Sequence, residues 1–327
     1  MRIRLPRGLL VGVAVAASLA AGQARAQAWP QRPISFIVPF AAGGGTDAFA
    51  RPLAQQLDNQ LKQRVIVENR AGAGGTAGAA AAARATPDGY TFFVGATHHA
   101  IAPAIYPNLT FDIERDFIPI AMIARPPHVV VVNPKRVTAK TLGELVAAAK
   151  AEPDKLTYAS AGLGTTHHMA GELFKLLTDT KIRHVPYRGA GPAMQDLVAG
   201  QVDMAFDGLG SSAGQISGGY INALAVAAPN RNPAIPNVQT AAEAGIQGYD
   251  VATWYGIWAP KGTPGDVVEK MRSEVAKALD TAYIKDNWEK NGSDVPKIAG
   301  DAFGAFVTTE IGRWGKVVRE AGVKIEQ

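Results

Sequence analysis

Residues 38–47 read VPFAAGGGTD and predict the local fold at the start of the chain. The apolar residues up to this point are typical of a buried strand, three glycines follow at positions 43–45, and a helix is expected to begin just after them. Glycine lets the backbone come close to a ligand, and a helix N-terminus offers unpaired N–H groups and the positive end of a dipole. The stretch therefore predicts a binding site for an anion.

A second stretch, residues 158–169 (YASAGLGTTHHM), repeats this arrangement far downstream. A strand leads into small residues that include Gly162 and Gly164, and Thr165 or Thr166 is a suitable cap for the helix that follows. Ligands of open α/β sheets bind beyond the carboxyl ends of the strands, where both turns are expected. The two stretches predict two halves of the protein that face one ligand.

Apolar, β-branched runs alternate with Ala- and Leu-rich helical patterns along most of the chain, which predicts an α/β fold with largely parallel sheets. The strands are predicted at residues 34–40, 65–67, 91–95, 118–124, 129–132, 156–159, 183–185, 204–207, 223–227 and 255–259. About 300 residues remain after the N-terminal segment described next, which is at the upper limit of roughly 250–300 for a single core. We therefore expect two domains, with residues 29–125 and 226–327 forming domain 1 and residues 126–225 forming domain 2.

The N-terminal segment has the pattern of a secretory signal peptide. Arginines at positions 2, 4 and 7 precede an apolar run at residues 9–21, and alanines at positions 24, 26 and 28 fit an A-x-A cleavage site. Residues 1–28 are therefore predicted to be a signal peptide, with the mature chain beginning near Gln27 or Trp29. The 327-residue sequence contains no cysteine, so neither a disulfide nor a lipid anchor on cysteine is expected. A periplasmic protein without membrane insertion is predicted.

The net charge gives no support to nucleic-acid binding. The formal charge of +5 includes four arginines in residues 1–28, and without them 29 Lys and Arg stand against 28 Asp and Glu. A nearly neutral chain lacks the basic surface that contacts phosphates.

The chemistry of the two stretches favours a carboxylate. Backbone N–H groups at residues 43–46 and 162–166 could hold one carboxylate each, and the side chains of Thr46, Ser160, Thr165 and Thr166 add hydroxyl donors. The alternative is a pair of ordinary tight turns. Asp47 is interpreted as a helix cap, because an ionised carboxylate repels an anion; a ligand with an amino group would reverse that preference.

Two further patterns suggest other functions. Residues 72–77 (GAGGTA) imitate a dinucleotide fingerprint, but they follow the second strand, and Asp88 lies in a turn, so no cofactor is expected. Residues 210–214 fit the G-x-S-x-G elbow of a serine hydrolase with Ser212 as nucleophile. That fold needs its histidine downstream, and all six histidines lie upstream.

The remaining histidine and arginine candidates have weaker signals. The pairs His98-His99 and His167-His168 lack carboxylates at ligand spacing, so structural or cleft-lining roles are favoured and no metal is expected. Arg188 could reach the cleft and pair with a carboxylate, although a solvated surface arginine is an equal alternative.

Several segments together resemble the solute-binding proteins of tripartite tricarboxylate transporters, the Bug family. The resemblance spans nearly the whole mature chain and is carried by residues 38–51 (VPFAAGGGTDAFAR), 69–78 (NRAGAGGTAG), 87–91 (PDGYT), 116–124 (DFIPIAMIA), 140–150 (KTLGELVAAAK), 158–175 (YASAGLGTTHHMAGELFK), 185–207 (VPYRGAGPAMQDLVAGQVDMAFD) and 243–264 (EAGIQGYDVATWYGIWAPKGTP).

The resemblance implies a type II-like periplasmic binding protein fold, in which two α/β lobes close like a flytrap around a small organic acid. It also implies delivery of the acid to membrane permease subunits, and no catalysis. The binding loops of the family map onto residues 43–47 and 160–166, and its histidine corresponds to His168. The complete set of predicted ligand-binding residues is Phe40, Gly43, Gly44, Gly45, Thr46, Asp47, Thr97, Ser160, Gly162, Gly164, Thr165, Thr166, His168 and Asp207.

Two other functions stay open at this point, a secreted serine hydrolase that uses Ser212 and a ligand sensor that docks on a signalling partner. The ligand is expected to be a mono-, di- or tricarboxylate, and Phe40 permits an aromatic acid. A monomer is expected.

Overall fold

The computed structural model describes residues 29–320 and 322–323. The predicted signal peptide, residues 1–28, lies outside the described residues. The strands are β1 (Ile34–Val38), β2 (Val65–Asn69), β3 (Thr91–Ala96), β4 (Phe117–Ala124), β5 (His128–Val132), β6 (Thr157–Ser160), β7 (Arg183–Pro186), β8 (Met204–Gly208), β9 (Asn222–Ala227) and β10 (Tyr255–Pro260). Each predicted strand is present, with its ends shifted by at most two residues.

Helices connect most of the strands, as the alternating pattern predicts. They are α1 (Gly45–Leu61), α2 (Thr76–Ala83), α3 (His98–Ile105), α4 (Leu142–Ala151), α5 (Thr166–Thr178), α6 (Ala190–Ala199), α7 (Leu209–Ser217), α8 (Gly265–Leu279), α9 (Ala282–Lys290) and α10 (Gly300–Glu320), with a short 3₁₀ helix at Ala73–Gly75.

The strands form two separate five-stranded sheets, and each sheet is the centre of one lobe. The first lobe has the strand order β2-β1-β3-β10-β4, and the second has the order β7-β6-β8-β5-β9. Helices pack on these sheets; in the first lobe, Phe49, Leu53 and Leu57 of α1 are fully buried. The protein is therefore an α/β protein with two lobes.

The sheets are mixed: the pairs β1–β2, β1–β3, β6–β7 and β6–β8 are parallel, as predicted, and the other four pairs are antiparallel. Strand β10 runs antiparallel to both β3 and β4, and β5 runs antiparallel to both β8 and β9. These are the two strands that the chain enters directly after it passes from one lobe to the other. Such a strand is not preceded by a crossover helix from its own sheet, so its direction is not fixed to be parallel.

Two crossing segments connect the lobes side by side. The backbone N–H of His128 donates to the carbonyl of Val251 (2.8 Å), and that of Thr253 donates to the carbonyl of Pro126 (3.2 Å). Helix α10 also reaches the second lobe, since Trp314 packs in a cluster with residues of that lobe. The sequence boundaries proposed for the two domains stay a prediction.

Among the helices that the structure describes, none combines the length and the apolar character that crossing a membrane requires.

Candidate functional site

The first glycine loop, between β1 and α1, is held in shape by Asp47. Gly43 has a φ of +84°, a conformation that suits glycine. Its N–H donates to Oδ2 of Asp47 (3.1 Å), which also accepts from Nε of Arg51 (2.7 Å). The other carboxylate oxygen of Asp47 accepts from Nδ2 of Asn69 (3.0 Å). The Asp47 carboxylate thus fixes the loop, and the Gly43 N–H already has a partner.

The N-terminus of α1 lies next to Tyr255. Helix α1 begins at Gly45, and the first N–H groups of a helix have no partner within it. A Cβ atom at Gly45 would overlap the Tyr255 hydroxyl. Glycine at position 45 is therefore what lets the phenol of Tyr255 lie against the helix N-terminus.

The second glycine loop is held by its own side chains. The N–H of Gly162 donates to Oγ of Ser160 (3.1 Å), and that of Gly164 donates to Nδ1 of His168 (3.2 Å). Thr165 caps helix α5, because its Oγ1 accepts from the N–H of His168 (3.4 Å). The N–H groups of Gly162 and Gly164 thus already have partners within the second lobe.

A hydrogen bond joins the two lobes at the start of α5. The backbone N–H of Thr166 donates to Nδ1 of His98 (2.9 Å), and the Thr166 hydroxyl lies 2.8 Å from the same nitrogen. A nitrogen that accepts carries no proton, so the His98 ring is neutral. Burial lowers the pKa of His98 well below its usual range, and three neighbouring histidines lower it further.

His167 lies at the centre of a group of buried histidines. Its ring centroid is 5.7 Å from that of His98 and 5.1 Å from that of His128. Its Nε2 atom lies 2.9 Å from Oδ1 of Asp207, at an angle that falls short of a hydrogen bond, and its Nδ1 has no partner. Asp207 also accepts from the Ser211 hydroxyl (2.6 Å).

A small cavity lies between the two loops, and both lobes contribute to its walls. It is lined by Phe40, Ala41, Gly44, Gly45, Thr46, Asp47, His98, Ala161, His167, Ala190 and Tyr255. Its volume is about 10 Å³, and a water molecule needs at least ~10–15 Å³. The described residues on its walls include neither Lys nor Arg.

The lobes touch each other around this cavity. The N–H of Ala41 donates to the carbonyl of Arg188 (3.3 Å), and a Cβ at Gly44 would lie 3.2–3.4 Å from atoms of Ala190 and Gly191. A molecule of a few carbon atoms would not fit here while the lobes touch. The conformation is therefore a closed one. Arg188 is exposed and does not line the cavity.

The structure brings together five of the predicted site residues on the cavity wall. These are Phe40, Gly44, Gly45, Thr46 and Asp47. The predicted residues that do not line the cavity are Gly43, Thr97, Ser160, Gly162, Gly164, Thr165, Thr166, His168 and Asp207. Among them, Thr97 bonds to the backbone of Trp254 (2.8 Å), and Ser160 lies 2.6 Å from Nε2 of His184. Their roles as ligand contacts stay predictions.

The family resemblance assigns His168 to the binding site, but the histidine on the cavity wall is His167. The His168 ring stacks on that of His184 (centroids 4.1 Å apart), whereas His167 lines the cavity. His98, His167 and Tyr255 were not among the predicted site residues. His98 and His167 belong to the two histidine pairs, for which the sequence favoured structural or cleft-lining roles without choosing between them. Tyr255 is too far from both glycine loops in sequence for a local pattern to relate it to them.

The alternative motifs have other surroundings. The Ser212 hydroxyl is fully buried and donates to the carbonyl of Gly208 (3.2 Å). The 72–77 segment forms a tight turn at which a Cβ on Gly75 would meet the Phe40 ring at 2.6 Å. Within the part of the chain that the structure describes, no three His, Cys, Asp or Glu residues are grouped as a metal site requires.

Comparison with known proteins identifies the family. Residues 49–323 match the sequence profile of the tripartite tricarboxylate transporter family receptor. The chain belongs to this family. It is also 34% identical to the protein BugT of Bordetella pertussis, over 97% of this chain and 98% of BugT. Membership confirms the family resemblance and assigns the chain to a family of solute-binding proteins.

Solved structures of this family share the fold. The periplasmic binding protein BugD is 34% identical with a TM-score of 0.88, over 91% of this chain and all of that one. A protein of R. palustris, Rpa4515, solved with adipate, is 34% identical over the same shares, with a TM-score of 0.87. MatC from Rhodopseudomonas palustris, solved with bound malate, is 35% identical over 89% of this chain and all of MatC, with a TM-score of 0.84.

Proposed function

We propose that this protein captures a small organic acid between its two lobes in the periplasm and delivers it to a tripartite tricarboxylate-type membrane transporter. The observation that carries the proposal is the cavity between the lobes, on whose walls lie residues from the first turn of both α1 and α5. Helix N-termini favour anions through their N–H groups and dipoles.

Neutral donors suit a protein that must release its ligand. A carboxylate held by backbone N–H groups is bound by several modest interactions, whereas a buried Arg or Lys pair costs several kcal/mol to break. The absence of Lys and Arg from the described cavity wall is consistent with reversible capture. Closure would proceed by hinge motion at the crossing segments around Pro126 and Val251.

The ligand class is inferred from the relatives. Adipate and malate occupy two related structures, so dicarboxylates are the first candidates here. A thermal-shift screen over mono-, di- and tricarboxylates tests this, because a ligand at 100 times its dissociation constant adds about 2.7 kcal/mol to the free energy of unfolding. If none of the acids shifts the melting temperature, the result would contradict the proposed function.

The partner is a separate part of the proposal. Liganded protein is expected to bind the permease subunits of its transporter, and we expect transport in reconstituted vesicles only when the receptor is present. Binding to a receptor kinase domain in place of the permease would favour the sensor function.

The buried Ser212 hydroxyl, hydrogen-bonded to a carbonyl, does not favour the hydrolase. Turnover of activated esters that is lost in Ser212→Ala would establish that alternative and overturn the receptor function.

A further inference from the structure

The two carboxylates near the cavity, those of Asp47 and Asp207, differ in whether a cation balances their charge. Asp47 already has a cationic partner, because Arg51 lies 2.7 Å from its carboxylate. Asp207 has no Lys or Arg partner among the described residues, and its nearest ionisable neighbour is His167. An incoming carboxylate would therefore enter a poorly solvated site next to the unbalanced charge of Asp207, and like charges repel strongly there.

We infer that the ligand is bound together with one proton, which converts His167 into the cation that pairs with the ligand carboxylate. This inference rests on the proposed function. The ring would then donate from Nε2 to Asp207 and from Nδ1 to the ligand. The charges of Asp207, the imidazolium and the ligand carboxylate would then alternate in sign.

The unpartnered Nδ1 atom of His167 is the observation that points to a ligand. The His167 side chain is 5% exposed, it lines the cavity, and Nδ1 has no partner in the described structure. A buried polar atom without a partner is costly, so such atoms are rare in native proteins. A ligand oxygen at this position would satisfy it.

The other histidines of the group are poorer sites for the proton. Nδ1 of His98 is held as an acceptor by Thr166, and protonation would break that hydrogen bond between the lobes. His128 is fully buried, and burial lowers its pKa well below the usual range. Neither ring has a carboxylate at ion-pair distance among the described residues. His167 is the ring with such a partner.

The groups that face His167 come from every neighbouring element. His98 of α3, His128 of β5 and Asp207 of β8 lie directly against it, and His99 lies behind His98. Asp47 of α1 and Tyr255 of β10 line the same cavity, and His168 and Glu172 lie on the same helix. The neighbouring histidines oppose a second positive charge, so the uptake is limited to about one proton per ligand.

The decisive measurement is the proton uptake on binding. Adipate and malate are titrated calorimetrically into the wild-type protein at about pH 7.5, in buffers of different ionisation enthalpy, together with each acid that the thermal-shift screen identifies. At this pH a histidine is ordinarily neutral, and the acids are fully ionised. We expect uptake of about one proton per ligand and an affinity that rises as the pH falls towards about 6.5.

Variants assign the proton to one ring. His167→Gln keeps a hydrogen-bond donor but no titratable group, and it is expected to bind with no proton uptake. His184→Gln, the same change in a ring outside the cavity, is expected to keep the wild-type proton count. Side-chain ¹⁵N NMR of the wild-type protein gives a second measurement, in which one doubly protonated imidazole is expected to appear when ligand is added.

Three outcomes would overturn the inference. Ligand binding without proton uptake would overturn the inference and leave the proposed function intact. Unchanged proton uptake in a folded His167→Gln would have the same two consequences. An absence of binding by every acid tested would overturn the proposed function, and the inference with it.

Discussion

His98 of the first lobe accepts a 2.9 Å hydrogen bond from the backbone N–H of Thr166 in the second lobe. The side chain thus occupies an N–H group at the start of α5 that the sequence pattern assigns to a ligand. This contact stabilises the closed conformation directly, and it requires a neutral imidazole.

The first prediction concerns this contact. His98→Leu removes the acceptor, whereas the side-chain oxygen of His98→Asn can replace Nδ1. Because a hydrogen bond contributes about 1 kcal/mol net, the ratio of closed to open molecules in ligand-free His98→Leu is expected to fall by a factor of about five. Small-angle X-ray scattering should show a larger radius of gyration for His98→Leu than for His98→Asn. Equal radii would count against a role of this bond in closure.

The second prediction concerns Gly44. Its φ of −89° suits any residue, yet an added side chain would meet Ala190 and Gly191 of the other lobe. Gly44→Val is therefore expected to weaken ligand binding by about 10- to 100-fold through blocked closure, with little change in the free energy of unfolding. Calorimetry and urea unfolding measure the two quantities.

Gly143→Val is a matched control for Gly44→Val, because a Cβ at Gly143 meets no atom within 4 Å. It should bind normally. Gly164 is a poorer test position, since its φ of +70° makes any side chain strained. Wild-type affinity in Gly44→Val would contradict binding between the lobes.

The third prediction concerns pH and stability. Burial lowers the pKa of His99 to about 4, whereas in the unfolded chain a histidine titrates near its ordinary value of about 6.5. Between these two values the unfolded chain binds a proton that the folded chain does not. The free energy of unfolding is therefore expected to fall as the pH drops through this window, by up to about 1.4 kcal/mol per pH unit for this residue.

Urea unfolding between about pH 7.5 and 4.5 tests this dependence. His99→Gln should have a shallower slope than the wild-type protein by one bound proton. A stability that rises on acidification would contradict the buried, neutral state of this histidine.

The fourth prediction concerns Asp47. Its carboxylate accepts hydrogen bonds from Gly43, Arg51 and Asn69. Asp47→Asn places an amide donor among these donors and is expected to cost about 1–3 kcal/mol of stability. The side chain of Arg51 is 51% exposed, so Arg51→Ala should cost less than about 1 kcal/mol. A loss of less than about 1 kcal/mol in Asp47→Asn would show that the loop does not depend on the carboxylate.

The sequence predicted the strands well because each has a local signal. A run such as residues 128–132 (HVVVV) is apolar and β-branched, and turn residues bound it. The two helix starts were equally visible, since Gly43 and Thr165 have local roles in a turn and in a cap. The direction of β5 and β10 had no such signal, because it depends on how the chain crosses between the lobes.

The candidate site was predicted only in part. Residues of the first loop on the cavity wall, such as Gly44 and Thr46, follow from a continuous motif. Tyr255 lies more than 200 positions away from Gly45, and no local pattern relates the two. His167 and His168 are adjacent in sequence, and the orientation of helix α5 decides which of them faces the cavity.

By itself, the sequence determined the two glycine loops, the order of strands and helices, and the family, because each depends on neighbouring residues or on a linear motif. The tertiary structure alone decided that His98 meets Thr166, that His167 lies beside Asp207, and that Tyr255 covers the N-terminus of α1. These contacts join segments from different lobes or distant strands. Long-range packing brings them together, and no spacing along the chain encodes it.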